Sequence, residues 1–291
     1  MKKVLILISV VFILMPLYAC SNSDQQLIIS KEEVQLSFYE KETEAYKITY
    51  TSDGLGVNGY LVKPRKIEGK APVLIFNRGG NREFGAINEQ ALQYLSFWAD
   101  KGFVVLVSQY RGNAGGEGQE QFGGEDVNDV LKLVDVAREL PYVDTDNIVM
   151  LGASRGGMMT YLAIKHGIDI KAAVIVSGMS DLFHTYENRE QGMKDTLQQL
   201  VGDPEADRDE YEKRSAVFWT DEIDVPVLIL HGDADWRVPI EQAEELVESM
   251  QETKNAHKFV VYPNGDHGLK NYFDEYTDEA LKWFNHHLQI K

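Results

Sequence analysis

The chain has 291 residues, 44% hydrophobic and 26% charged, with 24 glycines and 8 prolines; that composition is globular, neither disordered nor collagen-like. Acids outnumber bases 46 to 29, and the formal charge of −17 has the wrong sign for the basic footprint that non-specific nucleic-acid binding needs. A single cysteine excludes an internal disulfide, a cysteine-based zinc site and an iron–sulfur cluster.

Lys2 and Lys3 precede an apolar run over residues 4–15. The run is too short for a membrane-spanning helix of about 20 residues, but it fits the apolar core of a secretory signal peptide, about 7–15 residues long. It leads into Leu17-Tyr18-Ala19-Cys20 and then a polar stretch. This resembles the lipobox of bacterial lipoproteins, in which the cysteine is lipidated and becomes the first mature residue; Tyr18 is bulkier than the usual residue at its place. The resemblance implies a signal peptide over 1–19, a lipid on Cys20 and a tether over 20–33. It also implies a protein held to the cell envelope outside the cytoplasmic membrane. Two acyl chains suffice for stable anchoring, and an acidic body would have to rely on them, since anionic headgroups repel it. An ordinary cleaved signal, or an uncleaved anchor, is the alternative.

Beyond the tether, residues 34–291 read as one domain. Amphipathic runs over 45–51 and 57–63, separated by Ser52-Asp53-Gly54, predict an antiparallel hairpin. Continuous Val/Ile/Leu-rich runs follow at 73–76, 104–107, 148–151, 172–176, 227–230 and 259–262, the pattern of parallel strands buried on both faces. Helix-period segments alternate with them at 87–101, 127–140, 158–165, 240–251 and 277–288. The expectation is an α/β fold: a mostly parallel central sheet, antiparallel amino-terminal strands, and helices on both faces. Residues 180–224, rich in charges and aromatics, break the alternation at the carboxyl end of a strand, where ligands bind in such sheets. They are either a lid or a helical insertion that packs its own aromatics.

The strongest chemical signal is Gly152-Ala153-Ser154-Arg155-Gly156-Gly157, directly after one predicted strand and opening a helix. A strand–turn–helix around G-x-S-x-G is the nucleophile elbow of α/β hydrolases, which lifts the serine hydroxyl above the sheet at a helix amino terminus. A hydroxyl needs a base, and the base needs an orienting carboxylate. In this fold the chain order is serine, acid, histidine. The run 227–230 leads into His231-Gly232-Asp233-Ala234-Asp235, and the run 259–262 into Pro263-Asn264-Gly265-Asp266-His267. His267 is the candidate base. Asp233 and Asp235 compete for the acid role, and His231 supports their loop by hydrogen bonding. His166, His184, His257, His286 and His287 have weaker cases, at element edges, in the excursion or near the carboxyl terminus.

From about residue 71 to 287 the chain resembles the catalytic domain of the prolyl oligopeptidase family of serine peptidases. The matching stretches, in order, include Tyr110-Arg111-Gly112, Gly115-Gly116-Glu117-Gly118, the Ser154 motif, Tyr211-Glu212-Lys213-Arg214-Ser215, His231 to Pro239, and Gly265-Asp266-His267-Gly268. The resemblance implies an α/β-hydrolase fold with Ser154 as nucleophile, His267 as base and Asp235 as acid. It implies oxyanion donors at the backbone of Arg155 and in the loop Arg78-Gly79-Gly80-Asn81, by backbone N–H or side chain. It needs no metal or organic cofactor. Two positions depart from the family pattern: Arg155 stands where tyrosine is common, and Arg78 where tyrosine or histidine is. Either guanidinium could bind a substrate carboxylate or pair with an acid of the protein. Full-length family members also carry an amino-terminal β-propeller that screens substrate size, and only about fifty residues precede the catalytic domain here. Acyl-transfer chemistry is therefore expected, while specificity for peptides is not implied. The expected substrate is a short peptide or a small acyl compound, with carboxylesterase as the alternative; a lipoprotein that binds without turnover is the reading from another class.

Overall fold

The two-residue turn Asp53-Gly54 joins strands β2 (Thr43–Ser52) and β3 (Leu55–Pro64), pairing Ser52 with Leu55 in the expected antiparallel hairpin. The computed structural model describes residues 26–253 and 255–288. Ahead of the hairpin runs β1 (Ile28–Val34), antiparallel to β2. The tether predicted through residue 33 is thus corrected: from Ile28 the chain is already part of the sheet, and the Leu27 N–H donates to the Glu139 carboxylate at 2.7 Å. The strand looked like tether because it is an edge, IISKEEV, mostly solvent-exposed and charged, as edges that avoid pairing with other chains are. The expected signal peptide over 1–19, the expected lipid site at Cys20 and the rest of the expected tether, residues 21–25, lie outside the described residues.

The remaining strands are β4 (Ala71–Asn77), β5 (Val104–Ser108), β6 (Val143–Ala153), β7 (Ala172–Val176), β8 (Val227–Gly232) and β9 (His257–Tyr262). The sheet order is β1-β2-β3-β5-β4-β6-β7-β8-β9, with β3 antiparallel to β5 and every later pair parallel. Alternate residues of each apolar run face opposite sides. Val73 and Ile75 join the layer of α2 (Asp126–Arg138), α3 (Arg155–Lys165) and α7 (Glu241–Gln251). Leu74 and Phe76 join the layer of α1 (Glu89–Asp100) and α8 (Phe273–His287), where Trp98 meets Phe103 and Phe284 edge-to-face.

The excursion after β7 folds into α4 (Leu182–Asn188), α5 (Gln191–Leu200), α6 (Arg208–Arg214) and two 3₁₀ turns. It packs its own aromatics, Phe183 and Tyr186 each against Tyr211, and it also overhangs the sheet: Arg82 on the loop after β4 donates to Gln199 at 2.6 Å. Its rings pack internally, while Arg189 and Met193 line the cavity described below. No helix among the described residues is long and apolar enough to cross a membrane.

Candidate active site

Ser154 connects β6 to α3 with φ 57° and ψ −124°. A non-glycine residue there stores about 1–3 kcal/mol, tolerated only where the surroundings impose it. Here they do. The Ser154 N–H donates to Val176 O at 3.0 Å, and its carbonyl accepts from Gly157 N at 2.9 Å and Met179 N at 3.2 Å. The glycines of the motif are required by close approach: a Cβ on Gly156 would fall 1.8 Å from Asn77 O on β4.

Two loops bring the other partners. β8 ends in the turn carrying Asp235, β9 in the turn carrying His267, and backbone bonds from Asp233 N to Tyr262 O (3.2 Å) and Ala234 N to Gly265 O (3.1 Å) tie the turns together. His267 Nδ1 lies 2.7 Å from Asp235 Oδ2. A carboxylate can only accept, so Nδ1 carries a proton, and in the neutral imidazole the lone pair is then on Nε2. The other oxygen, Oδ1, accepts from Arg237 N at 2.8 Å and Val238 N at 3.0 Å. His231, fully buried, donates from Nε2 to Val238 O at 2.8 Å with Asp235 Oδ2 3.4 Å away, the supporting role expected of it. Burial alone would raise the Asp235 carboxyl, but hydrogen bonds from His231 and His267 outweigh it and hold the group well below the usual carboxylate range. Asp233 is exposed and accepts from the backbone of Asn264. Geometry therefore separates the two aspartates that spacing left in competition.

Ser154 and His267 line one cavity of about 340 Å³, with Gly79, Gly80 and Asn81 on one wall and Phe122, Met179 and Met193 supplying apolar surface. Gly79 presses against the serine: a Cβ there would lie 3.0 Å from Ser154 Cβ. The backbone of this loop is the candidate oxyanion surface. The Arg78 side chain is not, which corrects one of the two options held for it. Its guanidinium is buried and turned away, giving its donors to the carbonyls of Gln109 (2.8 Å), Gly79 (3.0 Å), Arg82 (3.1 Å) and, more weakly, Phe84 (3.5 Å). Burial pushes its ionisation down, with the neighbouring Arg155 charge adding to that against Tyr110.

Arg155 is likewise buried, but among acids. Its guanidinium pairs with Glu120 and, at 2.6 Å, with Asp126, and it donates to Gly80 O at 3.1 Å. Of the two uses open to it from sequence, binding a substrate carboxylate or pairing with an acid of the protein, the structure gives the second. Arg155→Met should destabilise the protein by about 3–5 kcal/mol, because it leaves buried carboxylates unpaired; the midpoint of urea unfolding measures this. Arg237, Arg189 and Phe84 also line the cavity and were not singled out from sequence; Arg237 packs on Trp236 and has no ion pair among the described residues. Its position two residues after Asp235 was the available signal. His166, His184, His257, His286 and His287 do not line the cavity.

A strained serine at a strand–helix elbow, with an Asp–His pair on the loops after β8 and β9 of a mostly parallel sheet, defines the class: a serine hydrolase of α/β-hydrolase fold. The profile of the Prolyl oligopeptidase family matches residues 89–291. The chain belongs to the prolyl oligopeptidase family of serine peptidases. It is 35% identical over 215 residues to the peptidase YtmA of Bacillus subtilis, covering 73% of this chain and 80% of that one. It is 32% identical over 256 residues to the peptidase YuxL of the same organism, but spans only 38% of its length. Among solved structures it resembles the acylaminoacyl peptidase of Pyrococcus horikoshii, with a TM-score of 0.73 and 23% identity over 86% of this chain and 42% of that one. A puromycin-hydrolyzing peptidase of Mycobacterium tuberculosis matches at 0.73 and 22%, over 90% of this chain and 40% of that one. These two likenesses concern the fold.

Proposed function

We propose that the protein cleaves short peptides or small acyl compounds through Ser154, His267 and Asp235. The observation that carries the reading is one cavity holding the strained serine and a histidine already oriented by a buried carboxylate. His267 Nε2 takes the Ser154 Oγ proton as Oγ bonds to the substrate carbonyl carbon. The oxyanion that forms meets the backbone N–H groups of Arg155 and the Gly79-Gly80 loop. His267 then returns the proton to the leaving amine or alcohol as the C–N or C–O bond breaks. Water, deprotonated by the same imidazole, releases the acyl group.

The cavity volume, about 340 Å³, is near the lower end of small-molecule sites and suits one side chain or a short acyl group. Phe122, Met179 and Met193 favour an apolar one, and methionine adapts to several shapes. The test is a panel of aminoacyl and dipeptidyl anilides beside p-nitrophenyl esters, with fluorophosphonate labelling of Ser154. Anilide turnover together with labelling is expected. Turnover of esters alone favours a carboxylesterase, and absence of labelling favours a binding protein.

The place of action belongs to the same proposal: a lipid on Cys20, holding the enzyme outside the cytoplasmic membrane. Supporting it are the Lys2-Lys3 start, the short apolar core and the Leu17-Tyr18-Ala19-Cys20 motif. Cys20→Ala should leave the precursor unprocessed or move the protein to the soluble fraction. A variant processed and retained on membranes like the parent refutes the lipid anchor.

A further inference from the structure

We infer that Glu120 is a positioning residue that holds the two sides of the oxyanion surface in register. The inference rests on the proposed roles of Ser154 and the Gly79-Gly80 loop, and on contacts that neither the family motifs nor the catalytic triad accounts for. One carboxylate oxygen of Glu120 pairs with the Arg155 guanidinium, on the residue directly after the nucleophile. The other accepts the backbone N–H of Arg82 at 2.6 Å, on the loop that supplies Gly79 and Gly80. Arg155 closes the link by donating to Gly80 O at 3.1 Å. A single carboxylate, 4% exposed, thus spans the gap between elbow and loop.

The carboxylate is itself fixed from behind. Its loop, between β5 and α2, is pinned by Asp126, which accepts from Gly123 N at 2.9 Å and Gln121 N at 3.3 Å while pairing with Arg155. Arg214 on α6 donates to Phe122 O at 3.0 Å. From the interior, Arg78 holds the Arg82 carbonyl at 3.1 Å, so the peptide units on both sides of Arg82 are tied down, one by each charge. Arg82 itself has φ 49°, a conformation that a non-glycine residue keeps only under such constraint.

Oxyanion donors act only when aimed at the place where charge develops, and one donor typically contributes about a hundred- to a thousandfold in rate. A shift of about 1 Å in such a site can cost about a hundredfold. Releasing the Arg82 N–H or the Arg155 head would move the loop relative to the elbow without touching substrate. The signature is a loss in kcat with KM nearly unchanged, because the ground-state carbonyl uses these donors less than the tetrahedral intermediate does.

Two variants and one control test this, on the full chain with the best substrate of the panel. Glu120→Gln keeps the size but sets an amide N–H against either the guanidinium or the Arg82 N–H. Glu120→Asp keeps the charge but is one methylene too short to reach both. Each is expected to lower kcat about 10- to 100-fold with KM within about threefold. Affinity for a peptidyl aldehyde, whose adduct places an oxyanion on this surface, should fall in parallel with kcat/KM. Glu120→Asp should lose less than Glu120→Gln if the Arg155 pair matters most, and as much if the Arg82 bond does. Unchanged kcat in both folded variants overturns the inference. So does a rate loss that only tracks the folded fraction, or failure of both to fold, since the carboxylate would then be holding the fold rather than the loop. Ser154→Ala separates the premise: if it stays active, the functional reading fails; if it is inactive while both Glu120 variants behave as the parent, the positioning role alone fails.

Discussion

Ser154→Ala is expected to lower kcat by roughly ten-thousand- to a millionfold, leaving only the rate supplied by binding and oxyanion contacts. The same variant should unfold at the same urea concentration as the parent, because alanine at φ 57° is as strained as serine and the backbone bonds to Val176, Gly157 and Met179 remain. Ser154→Gly removes the hydroxyl too, but glycine accepts positive φ without a Cβ penalty and should raise stability by about 1 kcal/mol. Opposite movement of activity and stability at one residue marks strain kept for function. A Ser154→Ala enzyme with more than a few per cent of parental kcat, freed of contaminating hydrolases, sinks the assignment.

Asp235→Asn should cost about ten-thousandfold in kcat, and the structure gives the reason at the level of single atoms. Two backbone N–H groups, from Arg237 and Val238, converge on Oδ1, so an asparagine there must place its carbonyl oxygen toward them. Its NH₂ then faces His267 Nδ1, which must give up its proton and become the acceptor. The proton moves to Nε2, and the imidazole can no longer accept from Ser154. The pH dependence follows the same group. With its folded-state carboxyl held well below the ordinary value of about 3.9, the stability Asp235 contributes is complete above the unfolded value and is lost only as pH falls through the lower folded one. Between pH 5 and 8 Asp235 stays ionised. Lowering the pH from 8 to 5 should therefore remove no stability assignable to Asp235: the urea-unfolding midpoints of the parent and of Asp235→Asn should shift in parallel over that range. A parent that loses more stability than the variant over that range contradicts this.

The candidate triad was legible because each of its residues lies just past an uninterrupted apolar strand, and the end of a buried strand is a place that a sequence marks on its own. Boundaries agreed closely: the run 172–176 is β7 to the residue, and the helix predicted from 158 begins at Arg155 because the elbow is already its first turn. Choosing Asp235 over Asp233 from spacing alone was not possible; it needed the converging N–H groups of Arg237 and Val238, which depend on how the turn closes. The buried arginines were opaque for a related reason. Arg155 meets Glu120 and Asp126 across 35 and 29 residues, and nothing in a polar loop shows which of its acids folds inward. Arg78 found carbonyls rather than an acid, and carbonyls leave no trace in a sequence. The edge strand β1 was missed because its charges, useful on an exposed edge, imitate a linker.

That edge strand also fixes a direction. β1 pairs Ile28 with Tyr50 at its start and Val34 with Ala45 at its end, so it runs antiparallel to β2 and parallel to β3. β3 in turn starts beside the last residues of β5, where Gly59 meets Ser108. The chain therefore joins the sheet at the same end from which the turns bearing Ser154, Asp235 and His267 project. With residue 26 already described next to this end, a lipid on Cys20 would leave about six peptide links, or roughly 20 Å at full extension, between bilayer and body. The anchor proposed above would thus attach at the same end of the sheet as the candidate site, with β2, β3, β5 and β4 between β1 and the strand that leads to Ser154.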